Sequence, residues 1–387
     1  MISSYRYKGV FHPMKKLNIS QVDTMFANGS YPIEMLIYYR QRLNTKSIRA
    51  ALRKLSADFW PVFGEYQAGS IQFETYAEAE HLDEEVLAQT FDVNEPAAGM
   101  YARFRDSVTF APNKLFFLKI LHYRNGTVLI PKLLHLVGDG YSYFYFLSLL
   151  AAVSRGSYLP LKTRLMRRLY RPHHHRTILK AFHFQETAAK PLPAPGEIQI
   201  EFETMPRAAL RDQVAQAAAD LNLPLTANDV VCAKLVQKMA ALPGKAWKAE
   251  FQLTIPIDVR RQIKAYGPRY FGNGLLLKTI TLQTREVIET GLAELAGKIR
   301  AAMPTVNAGT YRQYLEDLEA LIAARQLDQL KPFDPQTGIL VTNISKLPLK
   351  RLDFGSGSAD FIYPLTIEKH STAILGDKDH YVLRLVY

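Results

Sequence analysis

The sequence predicts a two-domain α/β or α+β fold, each domain a mixed sheet flanked by helices, and three observations carry that expectation. Strand-like and helix-like periodicities alternate in both halves of the chain, the pattern of sheets packed against helices. The length, 387 residues, exceeds the roughly 100–200 that one domain usually takes. A stretch of prolines, alanines and a glycine with little periodicity, 185–197, lies between the halves. The expected boundaries are therefore 1–184 and 198–387, with 185–197 as a crossover linker.

In chain order, 17–23 is expected to open a short helix. Over 47–59, Ile48, Leu52, Leu55 and Phe59 recur at helical spacing, with Ser47 available as a cap and Trp60-Pro61 as the stop. Segments 114–123 and 127–135 are apolar, β-branched or aromatic runs. Asn125-Gly126 between them signals a hairpin, because both residues tolerate positive φ. Gly138-Asp139-Gly140 follows and leads into an apolar helix ending near Val153. In the second half, 197–205 reads as a strand, 207–221 and 229–241 as helices, and 249–257 as a strand. An amphipathic helix is expected over 284–303 through Ile288, Leu292, Leu295 and Ile299, and another over 311–325. The end is β-rich: 339–345, 359–368, 371–375 and 380–386.

Composition narrows the function classes. Hydrophobic residues at 48% and charged ones at 22% are ordinary for a soluble protein. The formal charge of +12 attracts an anionic partner, whether nucleic acid, a membrane face or a phosphorylated cofactor. No helix-turn-helix, zinc-finger or RNA-binding signature accompanies the charge, so nucleic acid is not the expected partner. Cys232 is the single cysteine and cannot form an internal disulfide, which fits a reducing compartment. The N-terminus lacks the pattern of a signal peptide, and the longest apolar run, 141–153, is too short for a transmembrane segment. The expected location is cytoplasmic.

Segment 162–180 carries Arg164, Arg167, Arg168, Arg171 and Arg176, with His173, His174 and His175 among them. Three adjacent histidines converge poorly on one ion, and no acidic or cysteine ligand accompanies them, so a basic loop is expected and no metal.

The reactive constellation is His135-Leu136-Val137-Gly138-Asp139-Gly140. A histidine titrates near neutrality and can take a proton from an attacking hydroxyl or amine. At the end of a strand its ring would be fixed, and Gly138 and Gly140 would let the backbone turn sharply behind it. Asp139 would point away from the substrate and tie the turn to a neighbouring strand through an arginine. Without other support, the same six residues read equally well as a buried histidine before an Asp-Gly turn.

Other fragments supply that support. Leu17–Asp23, Trp60-Pro61-Val62-Phe63-Gly64, Thr226-Ala227-Asn228-Asp229-Val230, Ile257-Asp258-Val259-Arg260, Tyr270-Phe271-Gly272-Asn273 and Asp353-Phe354-Gly355-Ser356-Gly357 occur in this order along nearly the whole chain. Together with the His135 motif they resemble the BAHD family of acyl-CoA-dependent acyltransferases, within the chloramphenicol-acetyltransferase-like fold. The resemblance implies two such domains with an active-site channel at their interface and His135 as general base. Acyl-CoA would be a co-substrate, with no tightly bound cofactor and a small alcohol or amine as acceptor. It also implies Arg260 as the partner of Asp139, and a mainly structural role for Gly140 and for Asp353, Phe354, Gly355 and Gly357. Thr342 and Asn343 are candidate oxyanion donors, and Arg164, Arg167, Arg168 and Arg171 candidates for steering coenzyme A. A monomer in specialised metabolism is expected.

Two departures from the family pattern bear on the reading. Ser356 stands where the second signature has tryptophan, and Leu134 precedes His135 where condensation domains show a second histidine. Competing readings are an acyl donor tethered to a carrier protein, a non-catalytic scaffold, and a basic nucleic-acid binder.

Overall fold

The computed structural model describes residues 14–19, 21–26, 32–67, 69–108, 113–159, 193–242, 247–264, 266–267, 270–330, 333–347, 349–376 and 378–387. Mixed sheets and helices build a two-domain α/β arrangement. The first sheet runs β12 (Phe361–Pro364), β2 (Pro32–Tyr39), β7 (Gly126–Leu134), β6 (Phe116–Tyr123) and β5 (Leu82–Val86), antiparallel except for the parallel β5–β6 pair. The second runs β10 (Leu275–Gln283), β9 (Glu250–Asp258), β11 (Gly338–Asn343), β13 (Ser371–Gly376), β14 (His380–Val386) and β8 (Ile200–Pro206), with parallel pairs on both sides of β11. A small third sheet joins β1 (Lys15–Asn18), β4 (Ser70–Phe73) and β3 (Glu65–Gln67).

The first sheet is covered on both faces, which is why β7 is buried almost throughout. Leu129 and Leu133 meet α2 (Thr45–Ser56) and α4 (Gly140–Ser154), while Val128 and Ile130 meet Met100 and Phe104 of α3 (Ala97–Phe104). Each fully buried Leu, Val or Phe in these layers is worth about 1.5–3 kcal/mol. On the second sheet, α5 (Arg207–Leu221), α6 (Ala227–Ala240), α7 (Thr284–Glu289) and α8 (Leu292–Ala302) cover one face. Ala373, Leu375 and Val382 on the other face pack into the first domain's core. A further cluster joins α1 (Gln21–Thr24) to α9 (Ala308–Ala323) through Val22, Tyr311 and Leu315.

Several sequence expectations shift for identifiable reasons. Residues 17–18 lie in β1, so the short helix starts only at Gln21. The cap of α2 is Asn44, whose side chain accepts from the Ser47 N–H; Ser47 is inside the helix. The single helix expected over 284–303 is two, broken at Thr290-Gly291. In the hairpin, Arg124 and Asn125 form the turn and Gly126 begins β7. Asn125 does not take positive φ; its amide instead bonds both backbone groups of Phe91. Strands β2 and β10, both central to the cavity described below, were not expected. Strand β12 lies beyond the linker in sequence yet pairs with β2, so the chain crosses back into the first sheet.

Candidate active site

His135 is the first residue after β7, in a turn closed by the Val137 N–H donating to the Leu134 carbonyl at 3.0 Å. Phe26 stacks on the imidazole with ring centroids 3.9 Å apart. Asn273 reaches across from the second domain: its Nδ2 donates to the His135 carbonyl at 2.8 Å and to Asp23 Oδ1 at 2.7 Å. Burial pulls the imidazole below its ordinary pKa, opposed by the Asp139 charge, the residue's own backbone oxygen and Asn273. The ring is therefore neutral at pH 7, the state a base needs.

Asp139 points away from His135 and caps α4 by accepting from the Ser142 N–H at 3.0 Å. Arg260, just after β9, grips it with Nη1 to Oδ2 at 2.7 Å and Nη2 to Oδ1 at 3.0 Å, a bidentate pair buried on both sides. The Gly274 N–H donates to the same carboxylate at 2.9 Å. Arg260 also donates from Nε to the Tyr270 carbonyl and from Nη2 to the Gly272 carbonyl, at 3.1 and 2.8 Å. Burial pushes the Asp139 carboxyl up, but the Arg260 charge and the surrounding donors outweigh it and hold it below its ordinary value. The pair is thus ionised and nearly saturated with hydrogen bonds, the condition under which a buried ion pair is tolerated.

The glycines of the motif act differently from the expectation. Neither Gly138 nor Gly140 is among the positive-φ residues. Gly138 is needed for close approach: a Cβ there would lie 2.7 Å from Ser142 Cβ and 3.5 Å from Gly272 Cα. Gly140 opens α4 and has room for a side chain, with only Leu347 Cδ1 nearby at 3.7 Å.

A cavity of about 230 Å³ lies between the two sheets, lined mostly by apolar side chains. His135 shares it with Met35 and Phe144 of the first domain and with Leu277, Thr342 and Arg384 of the second. The structure thus brings His135 and Thr342 to one space and sets Asp139 and Arg260 behind it. The Thr342 hydroxyl has no hydrogen-bond partner among the described residues, whereas Asn343 does not reach the cavity. Adjacent strand residues face opposite sides, and the exposed Asn343 amide bonds Asn228 Oδ1 at 2.9 Å.

Asp353 Oδ1 accepts from the Gly355 and Gly357 N–H groups at 2.8 and 2.9 Å. Both glycines have φ in the left-handed region, 106° and 90°, which a side chain would strain. Arg155, at the end of α4, pairs with Asp353, and Phe354 is buried edge-on to Tyr39. This loop braces α4 from its C-terminal end and does not line the cavity. Arg164, Arg167, Arg168 and Arg171, with His173–His175, lie outside the described residues.

Three residues at the cavity or bonded to His135 have no role expected from sequence. Asn273 ends the Tyr270-Phe271-Gly272-Asn273 fragment, which by itself points to no chemistry. Phe26 gave no signal. Arg384 did leave one, as the single charge in the apolar strand Tyr381-Val-Leu-Arg-Leu-Val386.

The family model described as the Transferase family matches residues 76–381. An omega-hydroxypalmitate O-feruloyl transferase of Arabidopsis thaliana is 29% identical over 126 residues, a stretch spanning 32% of this chain and 26% of that protein. The chain therefore spans about a quarter of that relative's length. Among solved structures, F. graminearum TRI101 complexed with coenzyme A and deoxynivalenol superposes with a TM-score of 0.74 at 14% identity, over 96% of this chain and 95% of that one. Vinorine synthase superposes with a TM-score of 0.67 at 17% identity, over 99% and 91%. The first condensation domain of the CDA synthetase gives 0.59 at 15% identity, over 96% and 89%. Likeness at these identities establishes the fold.

Proposed function

The chain belongs to the transferase family, the BAHD-type acyltransferases, and from that premise we propose that it transfers an acyl group from acyl-CoA to a small hydroxyl or amine acceptor with His135 as general base. The observation that carries this reading is the neutral, ring-stacked imidazole lining an apolar cavity between the two sheets. Its Nδ1 is buried against the protein, which leaves Nε2 to meet the acceptor.

The acceptor attacks the thioester carbonyl as His135 takes its proton. The oxyanion formed is met by the Thr342 hydroxyl, the donor from the expected pair that shares the cavity. Collapse breaks the C–S bond, and the departing coenzyme A thiolate recovers the proton from the imidazolium. No covalent acyl-enzyme is required, because both substrates occupy the site together. Asp139 and Arg260 are positioning residues: they fix the N-terminus of α4 and hence the turn that presents His135. A cavity near 230 Å³ sits below the range of roughly 300–1,000 Å³ typical of whole drug-sized ligands, so it suits the reacting ends of both substrates better than either whole molecule.

The test is release of free thiol from a panel of short and aromatic acyl-CoA thioesters with alcohol and amine acceptors. Acceptor-dependent thiol release by the wild-type protein, lost in a folded His135→Ala variant that still binds coenzyme A, is the expected result. Equal turnover by that variant overturns the assignment.

A further inference from the structure

Arg384 is the strongest group that this mechanism leaves unused. It lies on β14, where alternation sends Leu383 and Leu385 into the second domain's core and Val382 and Arg384 towards the first domain. Its side chain is buried, with 5% of the residue exposed, and it lines the same cavity as His135. Nη1 donates to the carbonyls of Pro364 and Thr366 at 3.0 and 2.8 Å, which fixes the arm. Among the described residues, these neutral partners leave the charge uncompensated. Nε is buried with no hydrogen-bond partner, Nη2 has no partner among the described residues, and no carboxylate there lies within ion-pair distance. Glu368 lines the cavity too. Burial brings the guanidinium down to about 10, so it is still charged at pH 7.

A desolvated charge without a counter-ion is destabilising unless something supplies the opposite charge. The Nε–Nη2 edge of a guanidinium is the edge that takes a carboxylate with two parallel hydrogen bonds. We propose that Arg384 binds a carboxylate carried by one of the two substrates, either a dicarboxylic acyl group or a hydroxy-acid or amino-acid acceptor. The inference rests on the acyl-transfer reading above and narrows its substrate class.

The experiment compares each acid with a neutral partner of similar shape, in two arms. One arm offers succinyl-CoA against butyryl-CoA with a neutral acceptor. The other offers 3-hydroxybenzoate against its methyl ester with a neutral acyl-CoA. Calorimetric binding is recorded beside thiol release, so that loss of the acyl-transfer reading (no thiol release from any pair) is seen separately from loss of the carboxylate preference. The expected result is a preference of at least about tenfold for the acid in one arm, which also identifies the substrate bearing it. Arg384→Met should abolish the preference while keeping turnover of the neutral partner within about threefold, a split that a merely structural arginine would not give. Should that variant fail to fold, Arg384→Lys, which keeps the charge but not the fork, should weaken the preference without reversing it. No acid preference in either arm of the wild-type protein, or an undiminished preference in a folded variant, overturns the proposal.

Discussion

At the residue scale, the protonation state of His135 makes two linked predictions. A base works only when deprotonated, so kcat/KM should fall on the acid side as pH drops through the pKa of the free enzyme. Burial sets that pKa below the ordinary 6.5, so the acid limb should have its midpoint below 6.5, and a midpoint above it contradicts the environment described. Removing the base by His135→Ala should lower kcat by about 10²–10⁴-fold. The same depression has a stability sign. A histidine kept neutral in the fold takes up a proton more readily when unfolded, so its contribution is lost as pH falls below about 6.5. Thr342→Val keeps the shape and removes the hydroxyl; a loss of roughly 10²–10³-fold in kcat, with coenzyme A affinity unchanged by calorimetry, is expected of an oxyanion donor. His135 and Asp139 were legible because their chemistry fits within six residues of sequence. The strand over 339–345 was legible and its alternation sets Thr342 and Asn343 on opposite faces, but which face meets the cavity depends on packing against the other sheet.

At the element scale, α4 is held at both ends by residues remote in sequence. Asp139 fastens its N-terminus to Arg260, and Arg155 at its C-terminus meets Asp353. Arg260→Met leaves Asp139 ionised and buried without its partner, which should cost about 3–5 kcal/mol in urea unfolding. Pairing it with Asp139→Asn should cost clearly less than the sum of the two single changes, because the orphaned charge is gone; strict additivity would mean the two residues act independently. Activity should fall in both single variants even where they fold, since the turn carrying His135 is the part released. The helices packed on one side were readable from spacing, as with Ile48, Leu52 and Leu55 of α2. Strand β2 was not, because six consecutive residues of it are buried and its alternation of apolar and polar faces is erased. Arg260 could be named only through the resemblance, since no local pattern links it to a carboxylate on another domain.

At the scale of the whole molecule, the two domains are not separable units. Strand β12 from the second half closes one edge of the first sheet, and Phe271, Ile344, Leu352, Phe354, Ala373 and Leu375 belong to the first domain's core cluster. The first half keeps no complete core without these side chains, so melting should be one cooperative event despite the length, with the calorimetric enthalpy equal to the van't Hoff value. A local change gives the sharper test. The Tyr39 hydroxyl, on β2, donates to the Leu352 carbonyl at 2.6 Å, across the boundary and out of contact with water. Tyr39→Phe strands that buried carbonyl, at a cost of roughly 1–3 kcal/mol. If the domains fold as one, the whole transition should move to lower temperature with its shape unchanged. If they are independent, the substitution in β2 should pull the first domain's melting away from the second and divide the trace in two. The interlocked core requires the single shifted transition, and a divided one would show that β12 and the shared side chains do not couple the halves.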